Sequence, residues 1–159
     1  MRSKSLKIPL TSIEKERLKQ NKVKVSDIAN FAVDELAVLL GVSFERAREI
    51  YAYVEFQSIP SVGVRFAEDL ISLGYYSIAE LKGKDGALLT DEFELQKGSW
   101  IDPCVEDQFR LVVYYANTQD ASKQWWNFTE ERKKYRLENG YPPTRPKKAW
   151  HETLQKKLE

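Results

Sequence analysis

Residues 59–70 read IPSVGVRFAEDL, and twenty residues upstream 39–50 read LLGVSFERAREI. Laid one on the other, Leu39 meets Ile59, Val42 meets Val62, Ala47 meets Ala67 and Ile50 meets Leu70. Each valine is flanked by two small residues, Gly41 with Ser43 in the first copy and Ser61 with Gly63 in the second. Each copy therefore keeps one glycine, on opposite sides of its valine. An internal repeat of this kind decides the fold before any single element does. A sharp turn between two helices needs backbone freedom, which glycine supplies and serine partly tolerates. The valine predicts an apolar plug beneath each turn. The alanine lets the following helix approach its partner closely.

Helical periodicity surrounds both copies. It predicts helices over VDELAVLL (33–40), FERAREIYAYVEF (44–56) and VRFAEDLISL (64–73), with Gly41 and Gly74 as stop signals. SIAELK (77–82) reads as a short helix capped by Ser77, with Glu80 in the capping-box position. Upstream, TSIEKERLKQ (11–20) has a cap at Thr11 or Ser12, acids Glu14 and Glu16 near its start and Lys19 near its end. Its Ile13 and Leu18 are too sparse for a core helix and predict a docking arm. Downstream, DGALLTDEFELQKG (85–98) is helical through Leu88, Leu89, Phe93 and Leu95. DPCVEDQFRLVVYYANT (102–118) is the clearest helix, with Asp102 as cap and Pro103 in the first turn. Its apolar face is Val105, Phe109, Val112, Val113 and Ala116. WWNF (125–128), a charged helix TEERKKYRLENG (129–140) and a proline-rich YPPTRPKKAW (141–150) follow. Strand-like alternation is scarce, so the fold class is all-α. The predicted domains are a basic arm (1–25), a tandem-turn domain (26–98) and a helical C-terminal extension with a basic tail (99–159).

Composition agrees with a folded chain, since 42% of residues are hydrophobic and 31% charged. No apolar run approaches the roughly 20 residues that span a bilayer, and the N-terminus lacks the features of a secretion signal. A cytoplasmic protein without membrane contact is the expectation. The single cysteine, Cys104, excludes an intrachain disulfide and a multi-cysteine metal site. The net charge of +1 hides an uneven distribution: +6 over residues 1–25, −7 over 26–98, −2 over 99–125 and +4 over 126–159. An acidic middle lies between basic ends.

The two copies resemble a double helix-hairpin-helix domain of the SAM-like kind. FQSIPSVGVRFAEDLISLGYYSIAEL (56–81), with WIDPCVEDQFRLVVYYA (100–116) and the Trp125–Trp126 pair, is similar to the bacterial "pathogenicity locus" family of small helix-hairpin-helix proteins. The resemblance spans residues 26–150. It implies that fold and, by analogy with other helix-hairpin-helix proteins, DNA binding. It implies no established catalytic activity. In such proteins the amides of the turn, at a helix N-terminus, face a phosphate, and a basic residue adds charge. Here Val62, Gly63 and Val64, after Ser61, would supply N–H groups, and Arg65 the charge. The first copy would offer Gly41, Val42 and Ser43, with Arg46. Such contacts read no base, so binding would be sequence-independent and salt-sensitive. Glu45, Glu68 and Asp69 make the setting acidic, and Phe66 takes a place usually small and polar, as a core residue would. A hairpin that only packs is the other reading, and both stand at this point.

The basic ends offer further cations. RKKYR (132–136) holds Arg132, Lys133, Lys134 and Arg136, and RPKK (145–148) holds Lys147 and Lys148. With Tyr135 and Trp150 they form a pattern that grips backbone and stacks bases, or else simply faces solvent. Trp125 and Trp126 with Tyr114, Tyr115 and Phe128 make either a stacking platform or an anchor for the extension. Asp102, Glu106 and Arg110, four apart, read as a cap and an ion-pair ladder.

Catalytic readings find little. Cys104 lies at a helix start that favours the thiolate, but the one histidine, His151, lies in the tail, so a buried structural thiol is predicted. No zinc-ligand spacing occurs. Base-excision glycosylases built on this hairpin carry a catalytic aspartate about twenty residues past its last glycine, beside a base-flipping pocket. That count from Gly63 reaches Gly83, and Asp85 sits in a loop of the wrong kind. The expectation is a non-catalytic DNA-binding protein without metal, cofactor or small-molecule substrate; the alternative is a protein-interaction module with a structural double hairpin.

Overall fold

The Thr11 hydroxyl accepts the Glu14 N–H at 3.1 Å, and the Glu14 carboxylate accepts the Thr11 N–H at 2.9 Å. This reciprocal box opens helix α1 (Ser12–Gln20). The chain is described over residues 6–152 in a computed structural model; the ends of the predicted arm (1–5) and tail (153–159) lie outside the described residues. Helices α2 (Val33–Leu40), α3 (Phe44–Gln57), α4 (Val64–Ser72), α5 (Gly86–Lys97), α6 (Pro103–Thr118) and α7 (Thr129–Asn139) follow. Short 3₁₀ segments lie at Val25–Asn30, Ile78–Leu81 and Trp125–Phe128. The described residues form no strand, and the fold is all-α. None of the described helices is long and apolar enough to cross a membrane.

The chain divides into two compact units between Glu80 and Leu81. The sequence reading drew boundaries after residues 25 and 98 instead. Two packing choices make the difference: α1 docks on α2, and α5 lies along α6.

In the first unit Leu18 of α1 enters a core with Ile28, Leu36, Leu40, Ala47, Ile50 and Val54, while Ile13 stays exposed. One well-placed leucine is enough to seat the arm. Helix α2 ends at Gly41, left-handed at φ +64, and the Val42 N–H reaches back to the Ala37 carbonyl at 3.0 Å. Helix α3 ends before Pro60. Its last turn is closed by the Ser58 hydroxyl donating to the Glu55 carbonyl at 2.6 Å.

In the second unit Asp85 accepts from the Ala87 and Leu88 amides and so caps α5. Its Leu89 and Phe93 turn inward, with the Phe93 ring 5.6 Å from Phe109, whereas Leu88 and Leu95 are exposed. Asp102 caps α6 through the Cys104 amide at 2.9 Å, with Pro103 in the first turn. The Trp125–Phe128 segment packs against α6, where Phe128 lies 5.4 Å from Tyr114. The tail returns to Trp100, which forms an isolated parallel bridge with Ala149.

Taken by unit, the charge asymmetry vanishes. Residues 1–80 carry eleven Lys/Arg and eleven Asp/Glu, and residues 81–159 carry fourteen and thirteen. The basic arm lies within the same unit as the acids that follow it.

Candidate nucleic-acid interface

The repeat reappears in the backbone. Gly41 and Ser61, each just before the valine, are both left-handed, at φ +64 and +65. Ser43 and Gly63, just after it, are both extended N-cap residues, at φ −65 and −101. Ala47, Ala67, Ile50 and Leu70 are fully buried in both copies. Val62 is fully buried as well, whereas Val42 is only half-buried. The two turns lie at opposite ends of α3, a helix of fourteen residues, so about 20 Å of helix separates them.

The amides of the first turn are committed in part, while those of Ser43, Phe44 and Glu45 head α3 with no acceptor among the described residues. Those of Gly41 and Val42 close the end of α2, and the Arg46 amide is taken by the Ser43 hydroxyl at 3.1 Å. Gly41 and Val42 therefore do not present the donors expected of them. The Arg17 guanidinium also crowds Gly41. Arg46 is committed too. Its guanidinium donates to Glu14 Oε1 and Oε2 at 2.8 and 2.9 Å, to Glu49 at 2.8 Å and to the Pro9 carbonyl at 2.7 Å. Glu14 is buried, and this guanidinium holds its carboxyl below the usual carboxylate range. Arg46 ties the arm down rather than facing a ligand.

The second turn is open. The Val62 amide is used within the turn, donating to the Ile59 carbonyl at 3.2 Å. The Gly63, Val64 and Arg65 amides head α4 with no acceptor among the described residues. Gly63 and the Arg65 side chain are exposed, and a Cβ placed on Gly63 would meet no atom within 4 Å. Arg65 has no ion-pair partner among the described residues. The Gln57 side chain donates to the Lys7 carbonyl at 2.8 Å, which brings exposed Lys7 to the same end of α3. Sequence reasoning missed Lys7, because fifty residues separate it from Gln57. Phe66 is buried, as its apolar character suggested.

Of the C-terminal cations, the arginines turn inward and the lysines outward. Arg132 donates to buried Asp107 at 2.6 Å. Arg136, itself buried, donates to Glu106 and Asp91 at 2.9 Å and to the carbonyls of Gly140 and Ala87. Glu106 also takes Arg110 at 2.9 Å, the expected i,i+4 pair. Lys133, Lys134, Lys147 and Lys148 remain exposed, with Glu130 3.9 Å from Lys133. Arg132 and Arg136 thus hold α7 in place and are corrected from candidate contacts to structural pairs.

Cys104 is exposed, not buried as predicted, because the first turn of α6 faces solvent at that position. Desolvation, followed by the neighbouring Asp102 carboxylate, pushes its thiol pKa up, opposite to the helix-dipole expectation. Asp85, weighed as a catalytic acid, spends its carboxylate on the α5 cap.

Residues 49–134 match the family described as Pathogenicity locus. The match covers more than half of the chain, from within α3 to within α7. It takes in the second turn and leaves out the first, a narrower span than the resemblance over 26–150. Neither a curated protein nor a solved structure matches the chain.

Proposed function

The chain belongs to the pathogenicity locus family, and from that premise we propose that it is a non-catalytic protein that binds DNA through phosphates, without reading sequence, at the turn between α3 and α4. In this reading the two turns are a tandem helix-hairpin-helix whose second hairpin makes the contact and whose first is a packing element. The observation that carries it is the exposed Arg65 side chain, unpaired among the described residues, beside the uncommitted Gly63, Val64 and Arg65 amides. The equivalent amide row of the first turn has Glu45 in place of Arg65. A helix N-terminus offers both donors and positive potential to a phosphate oxygen. Exposed Glu68, one turn along α4, keeps the affinity low.

Fluorescence anisotropy with labelled duplex and single-stranded oligonucleotides across a salt series tests the reading. Arg65→Glu is expected to weaken binding about tenfold and to lower the salt slope by about one. Absence of binding at low salt, or an unchanged affinity in this variant, would sink it. The alternative, a protein-interaction module, draws on exposed Val38 and Phe44 on either side of the first turn. A stoichiometric protein partner on co-purification, with no nucleic acid, would favour it.

A further inference from the structure

We propose that the C-terminal unit carries a separate contact for unpaired bases, in which Trp150 and His151 stack a base and Lys147 and Lys148 meet the flanking phosphates. It goes beyond the phosphate contact at the α3–α4 turn and does not depend on it.

The segment is held in place rather than trailing. The Trp100 N–H donates to the Lys148 carbonyl at 2.9 Å, and the Trp150 N–H donates to the Trp100 carbonyl at 2.8 Å. Ala149 between them is buried and pins the segment. The His151 ring stands edge-on to both tryptophans, 6.0 Å from Trp100 and 5.6 Å from Trp150. This fixes an aromatic group on a short piece of backbone that is itself hydrogen-bonded.

What separates Trp150 from the neighbouring aromatics is that its surface is still available. Tyr141 has the Arg145 guanidinium 3.5 Å and the Arg136 guanidinium 4.2 Å from its ring centre, and Arg145 is itself held by buried Glu94. Those cations are already spent. Trp150 keeps 37% of its surface exposed, and His151, Lys147 and Lys148 are exposed beside it in sequence. The nearby acid, Glu152, turns back toward the Ala149 amide at 3.4 Å. An exposed indole next to paired lysines matches a ligand with a flat π-face and negative charge beside it. Single-stranded nucleic acid has both, and a duplex hides its base faces within its own stack. A neutral aromatic or proline-rich peptide would leave the lysines unused.

The full chain is titrated with a thymidine oligomer of about ten nucleotides, an abasic strand of equal charge and a blunt duplex. Anisotropy and tryptophan fluorescence are both followed. The thymidine strand is expected to quench fluorescence and to bind about tenfold more tightly than the abasic strand. Trp150→Ala should remove that advantage and leave duplex binding unchanged, while Trp150→Phe should keep most of it. Lys147→Glu with Lys148→Glu should weaken the thymidine and abasic strands alike. Equal affinity of the wild type for thymidine and abasic strands overturns the proposal. So does a Trp150→Ala loss shared equally by the duplex. If Trp150→Ala disturbs the circular dichroism spectrum, the wild-type comparison of the two strands decides alone. Arg65→Glu acts on the turn only, so the two contacts fail separately.

Discussion

The turns at 41–43 and 61–63 follow one backbone plan, a left-handed residue, a valine and an extended cap, yet they differ in what lies over them. The first carries the residues that suit this plan better: glycine where φ is positive and serine where a side-chain cap is wanted. It is nevertheless the turn over which Arg17 lies and whose Arg46 is spent on Glu14, Glu49 and the Pro9 carbonyl. The second has the poorer residues for the plan, yet at the same kind of open helix start it keeps Arg65 exposed and without an ion-pair partner among the described residues, where the first has Glu45. A good hairpin sequence makes a stable turn; availability to a ligand depends on what the rest of the chain lays over it.

Removing Arg46 should break the comparison at its strongest point. Arg46→Met leaves the buried Glu14 carboxylate without its guanidinium, and an uncompensated buried charge is costly. About 2–3 kcal/mol of stability should be lost, somewhat under the cost of breaking a fully buried pair because Arg46 is partly exposed. Glu14→Gln in the same chain should recover part of it. Urea denaturation measures both, and a loss under about 1 kcal/mol would mean that the arm is not anchored by this pair. Nucleic-acid affinity should be unchanged in Arg46→Met, in contrast to Arg65→Glu.

Acid should act on the same pair more gently. The Glu14 carboxyl is held below its ordinary value chiefly by hydrogen bonds from Arg46. A carboxyl whose folded pKa lies below its unfolded one stabilises fully above the unfolded value and loses that contribution as pH falls through the folded one. The arm should therefore loosen below about pH 4. An acid titration followed by circular dichroism should show that step in the wild type and not in Glu14→Gln. An identical titration of the two would remove Glu14 from the account.

Much of this architecture is legible in the sequence. Helices 33–40, 44–57 and 64–72 follow the periodicity, and the twenty-residue repeat locates both turns because valine and alanine recur at fixed spacing. The candidate cations are not legible in the same way. Arg46, Arg132 and Arg136 find carboxylates 32, 25 and 30 residues away, and nothing local announces those pairings. One signal was present, the arginine–lysine alternation of RKKYR. A planar guanidinium suits a buried carboxylate better than an ammonium does. The arginines at i and i+4 therefore share the inward face of α7, and the lysines between them stay in water. Cys104 misled for a related reason: the lack of a nearby base argued for a structural, buried thiol, but its place in the first turn of α6 decides its exposure.

The residues around the two valines give the smallest and most direct test. Read as sequence, Gly41–Ser43 and Ser61–Gly63 look like mirror solutions of equal merit. The backbone makes them unequal, because the position before the valine is left-handed in both copies and the one after it is extended in both. Serine at φ +65 carries strain that glycine lacks, so Ser61→Gly should stabilise by about 0.5–1 kcal/mol, less the entropy that glycine adds to the unfolded chain. Gly41→Ser should cost at least about 1 kcal/mol, since its Cβ would meet the Arg17 guanidinium as well as the same strain. Gly63→Ser has open space for its side chain and an extended backbone that suits a cap. It should add a few tenths of a kcal/mol, on the order of the serine–glycine difference at N-caps. Thermal melts of the three variants measure the set. Opposite signs for Ser61→Gly and Gly41→Ser are required if the two turns share one backbone plan, and equal signs would dissolve the repeat.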